Sequence, residues 1–272
     1  MKAIKNIKLH GFVLLCVSAF MLTSCMEGEQ GNRESGQLFG VVRFDEKSLK
    51  NVLDVSGFES FYSSLFTNEI EGNCFLVNYE LDYDLPENSF ESISTNGYIT
   101  VQIADRISVP SFSLFSTVQD TATVLTSEVP IIESIYDITY SYNFYIKGMF
   151  FLISTLEAPS DQRMNWILSY DPEQLTTEEN GFRYYDLFLR STIRVEGEET
   201  AVPTAFANGF DMKSYLEMVV DREKSLGSTS ASTFRLRIHF PSAISEDGKL
   251  TWKYQDTRDI QLGFIVPETT TP

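Results

Sequence analysis

The amino-acid sequence predicts an all-β, mainly antiparallel protein. Apolar residues recur at every second position over several stretches, the period of a strand buried on one face. Phe75, Val77, Tyr79, Leu81, Tyr83 and Leu85 do so without a miss, and Asn78, Glu80, Asp82 and Asp84 fall between them. The turn dipeptides Asn96-Gly97 and Asn180-Gly181 punctuate such stretches. Only one segment has convincing helical spacing, and strands do not alternate with helices, which favours a sandwich or barrel over a helix-wrapped parallel sheet. The 13 Tyr and 21 Phe suit half-buried sheets.

The chain opens on a segment of another kind. Lys2, Lys5 and Lys8 precede an apolar run from Phe12 to Leu22, and Leu22-Thr23-Ser24-Cys25 has the form of a bacterial lipobox. The run is too short to span a bilayer as a helix, and its flanks are those of a cleaved signal. Residues 1–24 therefore read as a lipoprotein signal peptide, with Cys25 as the lipidated (palmitate-bearing) mature N-terminus. Residues 25–36 read as a flexible tether, polar and rich in glycine.

Leu38, Val41, Val42 and Phe44 open the first strand. Between residues 47 and 66, Leu49, Val52, Leu53, Phe58, Phe61, Tyr62, Leu65 and Phe66 have partly helical spacing broken at Ser56-Gly57. A long connection with one or two helical turns is expected there. The alternating strand from Phe75 follows, then a turn at Asn96-Gly97 and a strand from Tyr98 to Ile103. Pro110 and a Ser/Thr/Phe-rich stretch interrupt the pattern, so a boundary near residues 120–130 is expected, with one β domain at 37–125 and another at 126–272.

In the second half, Tyr136, Ile138, Tyr140, Tyr142, Phe144 and Ile146 alternate, followed by the apolar run Met149 to Ile153. Met164, Trp166, Leu168 and Tyr170 make a one-sided strand ended by Asp171-Pro172, and Tyr185, Leu187 and Leu189 continue towards Ile193 and Val195. Asp211 caps the one expected helix, whose shared face is Met212, Tyr215, Leu216, Val219 and Val220. Leu226 to Ser232 reads as a flexible loop. Phe234, Leu236, Ile238 and Phe240 alternate with Arg235, Arg237 and His239, and Glu246-Asp247-Gly248-Lys249 turns the chain into Leu250 to Tyr254. Ile260, Leu262, Phe264 and Val266 are expected as the last strand.

Charge and inventory narrow the function. The formal net charge is −17, and it grows more negative when Lys2, Lys5 and Lys8 leave with the signal. Such a surface repels phosphate, which argues against a nucleic-acid partner and against adsorption to anionic lipid. Cys16 leaves with the signal and Cys25 is lipidated, so Cys74 has no internal partner; it reads as a small half-buried side chain. One histidine remains, His239, beside Arg235 and Arg237 on its strand face. No nucleophile elbow, zinc-protease helix, phosphate loop or dinucleotide fingerprint is present. No catalytic residue, no metal site and no cofactor are expected, and the chain reads as not an enzyme. Asp82 and Asp84 share a strand face that reads as solvated. Glu246-Asp247-Gly248 reads as a plain turn, lacking the ligand pattern of a calcium loop. Trp166, Trp252 and Tyr254 are candidates for a sugar-stacking platform, set against a place in the core.

Three stretches together resemble the NigD-like lipoproteins of Bacteroidales-type bacteria: Cys25-Met26-Glu27-Gly28-Glu29, the opening strand Gly36-Gln37-Leu38-Phe39-Gly40-Val41-Val42, and Tyr185-Asp186-Leu187-Phe188-Leu189-Arg190. The resemblance implies an N-terminal OB-like barrel followed by a C-terminal β-sandwich. It implies lipidation at Cys25 and carries over no catalytic residue; the family is loosely linked to bacteriocin immunity. The expected role is that of an outer-membrane, lipid-anchored envelope protein with a binding or protective function and an unknown protein or glycan ligand. Two alternatives stand beside it. One is a fimbrial subunit or accessory protein, for which Arg43 and Lys50 lie near the first strands as processing candidates. The other is a surface glycan-binding lipoprotein.

Overall fold

The computed structural model describes residues 31–134, 145–173, 176–257 and 259–265. They form two sheets. The first takes six strands, β1 (Arg33–Asp45), β2 (Lys50–Val55), β3 (Ser60–Tyr62), β4 (Cys74–Asp82), β5 (Tyr98–Thr100) and β6 (Gln102–Val109), in the order β5-β3-β2-β1-β4-β6. β1 is central and pairs antiparallel with both β2 and β4. Residues 38–42 are buried without a break. Leu38 and Val42 enter the interior with Leu53, Phe61, Phe75 and Val77, whereas Phe39 and Val41 turn to the other side. A strand covered on both faces reads as a continuous apolar run, which is why this one does not alternate. Gly40 is required by close approach: a Cβ there would lie 2.4 Å from Leu53 Cγ.

Several local expectations are corrected in this half. The stretch 47–66, expected as a long connection with one or two helical turns, holds one 3₁₀ turn, Ser64–Phe66, but also the strands β2 and β3. Val52, Leu53, Asp54 and Val55 are all buried, so the period of β2 was hidden. β1 already begins at Arg33, within the stretch read as tether. The alternating strand ends at Asp82, and a short helix, α1 (Phe90–Asn96), precedes Gly97. Gly97 has φ 74° and caps that helix rather than turning a hairpin. No residue of α1 is buried, so it left no apolar stripe in the sequence.

The second sheet contains β7 (Ser111–Phe115), β8 (Ile131–Ser134), β10 (Met149–Ala158), β11 (Arg163–Ser169), β13 (Phe182–Val195), β14 (Val202–Asp211), β15 (Thr233–Ile244) and β16 (Leu250–Asp256) in the order β16-β15-β13-β11-β7-β14-β10-β8. The short strands β9 (Tyr145–Ile146), β12 (Thr177–Glu179) and β17 (Ile260–Gln261) pair with β10, β13 and β15. β7 pairs parallel with both β11 and β14, so the chain passes from the first sheet to the second at Pro110, earlier than the expected 120–130. Of the fifteen named pairings, eleven are antiparallel, and the chain is mainly antiparallel as expected.

The helix α2 (Lys213–Ser225) buries Tyr215, Leu216, Val219 and Val220 against Leu187, Leu236 and Ile238 of the sheet. Asp211 Oδ1 accepts from Lys213 N at 3.2 Å, close to its expected capping place. The loop after α2, read as flexible, is tied down: Ser228 Oγ bonds Glu223 and Arg183, and Glu223, fully buried, also accepts from the Tyr185 hydroxyl at 2.8 Å. Burial raises the Tyr185 phenol above its ordinary value, helped by that bond. β14 was not foreseen; Ala205, Ala207 and Gly209 give it too few large apolar residues to show a period. The last expected strand is short, and Leu262–Ile265 forms one helical turn, α3. The alternating segment 136–144 lies outside the described residues, as do Val266 and Cys25.

The two sheets share a third apolar cluster. Phe39, Val41, Cys74 and Val109 pack against Ile146 and Phe151, with the Phe39 and Phe151 rings stacked at 4.6 Å and 11°. Cys74, expected to be half-buried, is fully buried there at 2% exposure, and burial pushes its thiol up to about 11.

Candidate functional site

β13 sends Tyr185, Leu187 and Leu189 into the core, so Phe182, Tyr184, Asp186 and Phe188 lie on its other face. β15 does the same with Phe234, Leu236, Ile238 and Phe240, leaving Arg235, Arg237 and His239 beside them. The parallel register pairs Tyr184 with Arg235 and Phe188 with His239, and the antiparallel register sets His239 opposite Tyr254 and Arg237 opposite Asp256. Strict two-residue alternation thus places aromatic rings and cations in one row across three strands.

The contacts run the length of that row. The Arg235 guanidinium lies 3.5 Å from the Phe182 ring centroid and bonds Asp259 at 2.7 Å. Arg237 is held between Tyr184 at 4.1 Å and Tyr254 at 4.5 Å, with Asp256 and Glu179 as ion-pair partners. Its bonds to Asp256 raise it further above its already high ordinary value. His239 stacks on Phe188 at 4.9 Å and 16°, and its Nε2 lies 2.9 Å from Asp186 Oδ1. Phe188 meets Trp252 edge-on at 6.0 Å. Tyr254 is 57% exposed, so part of this row faces solvent.

One end of the row is closed by residues 120–130. Arg190 donates to both oxygens of Glu128 at 2.6 Å, and to the carbonyls of Asp120 and Thr123. Both charged side chains are buried, at 2% and 0% exposure. The Trp252 indole N–H donates to the Thr121 carbonyl at 2.9 Å. Asp120 is held below the usual carboxylate range by the Thr123 hydroxyl and the Ala122 N–H. This strap therefore rests on the row and positions Trp252.

Of the aromatic candidates, the structure brings Trp252 and Tyr254 together and sends Trp166 into the core at 2% exposure. His239 does share its face with Arg235 and Arg237, but its Nε2 meets Asp186 and its ring packs on Phe188 and Tyr254. Asp82 pairs with Arg33 and Asp84 accepts from Asn32 N, both at the surface. Ser245 to Lys249 form a closed hairpin turn with Gly248 at φ 75°. Arg43 is bound to Asp54 and Asp45, and Lys50 donates to the Tyr98 hydroxyl, so neither processing candidate stands free within its strand. The residues that reading the sequence missed are Phe182, Tyr184, Asp186, Phe188 and the pair Glu128–Arg190. The even positions of β13 carried the signal, opposite those read as core.

Among the described residues no group of His, Cys, Asp and Glu is arranged to hold a metal ion, and no helix is long and apolar enough to cross a membrane.

Residues 30–107 match the family model of the lipoprotein OB domain. An uncharacterized protein from Parabacteroides merdae is 21% identical, with a TM-score of 0.69 over 84% of this chain and 99% of its own. A candidate lipoprotein from Bacteroides fragilis is 12% identical, with a TM-score of 0.53 over 82% and 97%. A NigD-like immunity protein from Bacteroides caccae is 12% identical, with a TM-score of 0.44 over 84% and 94%. No curated protein matches the chain. The chain is an all-β protein whose first sheet matches the lipoprotein OB domain family, and its resemblance to the NigD-like lipoproteins accords with that match.

Proposed function

We propose that this chain is a non-enzymatic, lipid-anchored protein of the outer membrane that binds a ligand on the outer face of β13, β15 and β16. The row of rings and cations on that face carries the reading. Tyr and Trp supply contact area with little conformational freedom to lose, and together with Arg they are enriched among the residues that dominate known binding surfaces. The lipobox ending at Cys25 and the lipoprotein OB match at 30–107 support the anchor. Acyl chains contribute about 0.8 kcal/mol per buried CH₂, so several hold far better than one. The His239–Asp186 pair supports a positioning role, because His239 is already stacked on Phe188.

Two measurements test this. A fatty-acid analogue should label the wild type and not Cys25→Ser; equal labelling of both removes the anchor. Hydrogen exchange of the protein with and without an envelope extract should show added protection confined to β13, β15 and β16. Protection elsewhere, or none, removes the binding face.

A further inference from the structure

We propose that this face takes a neutral saccharide chain, an inference that rests on the binding role above and names its ligand class. A sugar ring offers patches of C–H and a rim of hydroxyls. It is held by flat π faces flanked by polar groups already fixed in place. Trp252 and Tyr254 are two residues apart on one strand, so their rings follow each other at about 7 Å along it. Between and beside them lie His239, Asp186 and Asp256, each oriented by a partner. A carboxylate has about four acceptor sites, so those oxygens retain capacity for hydroxyl donors.

Charge separates this ligand from the others. Each arginine of the row is matched by an acid: Arg235 by Asp259, Arg237 by Asp256 and Glu179, and Arg190 by Glu128. His239 is likewise set against Asp186. Among the described residues no arginine of the row is left over for a phosphate, sulfate or uronate, and the net charge of −17 repels polyanions. A basic peptide is disfavoured differently, because the chain's own arginines already lie against Phe182 and Tyr184 and over one side of the Tyr254 ring, which is otherwise 57% exposed. An apolar protein patch would strip water from the paired charges, and charged residues are depleted from the cores of such interfaces. A neutral, hydroxyl-rich chain meets none of these penalties.

The test uses the full mature chain with Cys25→Ser, run in native gels containing dextran, laminarin or mannan, with heparin as the anionic probe. At least one neutral polysaccharide should retard the wild type, with affinity at least tenfold weaker in Tyr254→Ala. Phe90→Ala, which removes an 89% exposed ring on α1, should leave it unchanged. In the wild type, titration with the same saccharide should give a saturable change in tryptophan emission, a readout that needs no variant. Retardation by heparin alone, no retardation by any neutral polysaccharide, or equal retardation of Tyr254→Ala overturns the proposal. If it is overturned while the exchange experiment still protects β13, β15 and β16, the binding role stands with another ligand. If both fail, both fall.

Discussion

Replacing Arg190 by methionine removes one partner of a fully buried ion pair and leaves the Glu128 carboxylate with the Leu125 N–H. It also takes the Arg190 donor from the Thr123 carbonyl and leaves the Asp120 carbonyl with the Thr123 N–H alone. Breaking a buried pair on one side costs roughly 3–5 kcal/mol, because the remaining charge is uncompensated. With a urea dependence of about 3 kcal/mol/M, a loss of ~4 kcal/mol lowers the unfolding midpoint by about 1.3 M. Both far-UV circular dichroism and tryptophan emission should follow it, since Trp252 donates to Thr121 in the strap that Arg190 holds. Arg190→Met combined with Glu128→Leu should recover at least ~2 kcal/mol, because the stranded charge is gone. The reasoning fails if the single variant shifts the midpoint by less than about 0.3 M while protease still spares residues 116–127. It fails equally if the double variant is as unstable as the two singles summed.

Further outcomes follow from other parts of the fold. Gly40→Ala should destabilise by about 1–3 kcal/mol through overpacking against Leu53, and Leu53→Ala placed beside it should lose less than the two changes summed; additive thermal shifts would count against the close approach. In a chain begun at residue 31, Cys74 is the only thiol, and with its value pushed to about 11 its thiolate fraction at pH 8 is about 100-fold below that of a thiol at 9. Iodoacetamide should therefore react at least that much more slowly than in the urea-unfolded chain, and comparable rates would refute its burial. The unfolded chain releases that proton near pH 9 and the folded one near 11, so this contribution is full below pH 9 and is lost between 9 and 11; a chain with Cys74→Ala should lose less stability over that window. A fragment beginning at residue 126 lacks β7 and should show no cooperative thermal transition, whereas one beginning at residue 110 should; a cooperative melt of the shorter fragment would show that β7 is dispensable.

What the sequence disclosed depended on whether a strand has one buried face or two. β4, β11, β13 and β15 alternate cleanly, and their inward residues were legible. β2 is buried on both sides and hid its period; β14 is built of small residues, and α1 sets only the half-buried Ile93 against the core. The insertion of β7 was not legible, because its partners, Leu168–Ser169 and Gly209–Asp211, lie far along the chain. The aromatic row was half legible. Trp252 and Tyr254 stood out as rings on a strand, but the choice between Trp166 and Phe188 as their neighbour depends on strand order, which alternation does not encode. The Arg190–Glu128 pair depends on a loop returning to β13, and no local pattern marks it.

β7 also dictates an order of events during folding. The segment Ser111–Phe115 is synthesised well before Leu168, and long before Asp211, yet it needs both to complete its ladders. Until Asp211 emerges, its backbone donors and acceptors on that side have no partner in the sheet. Non-local pairings of this kind fold slowly, and unpaired strand edges invite aggregation while they wait. A chain carrying such a strand benefits from a holding factor until its C-terminal third arrives.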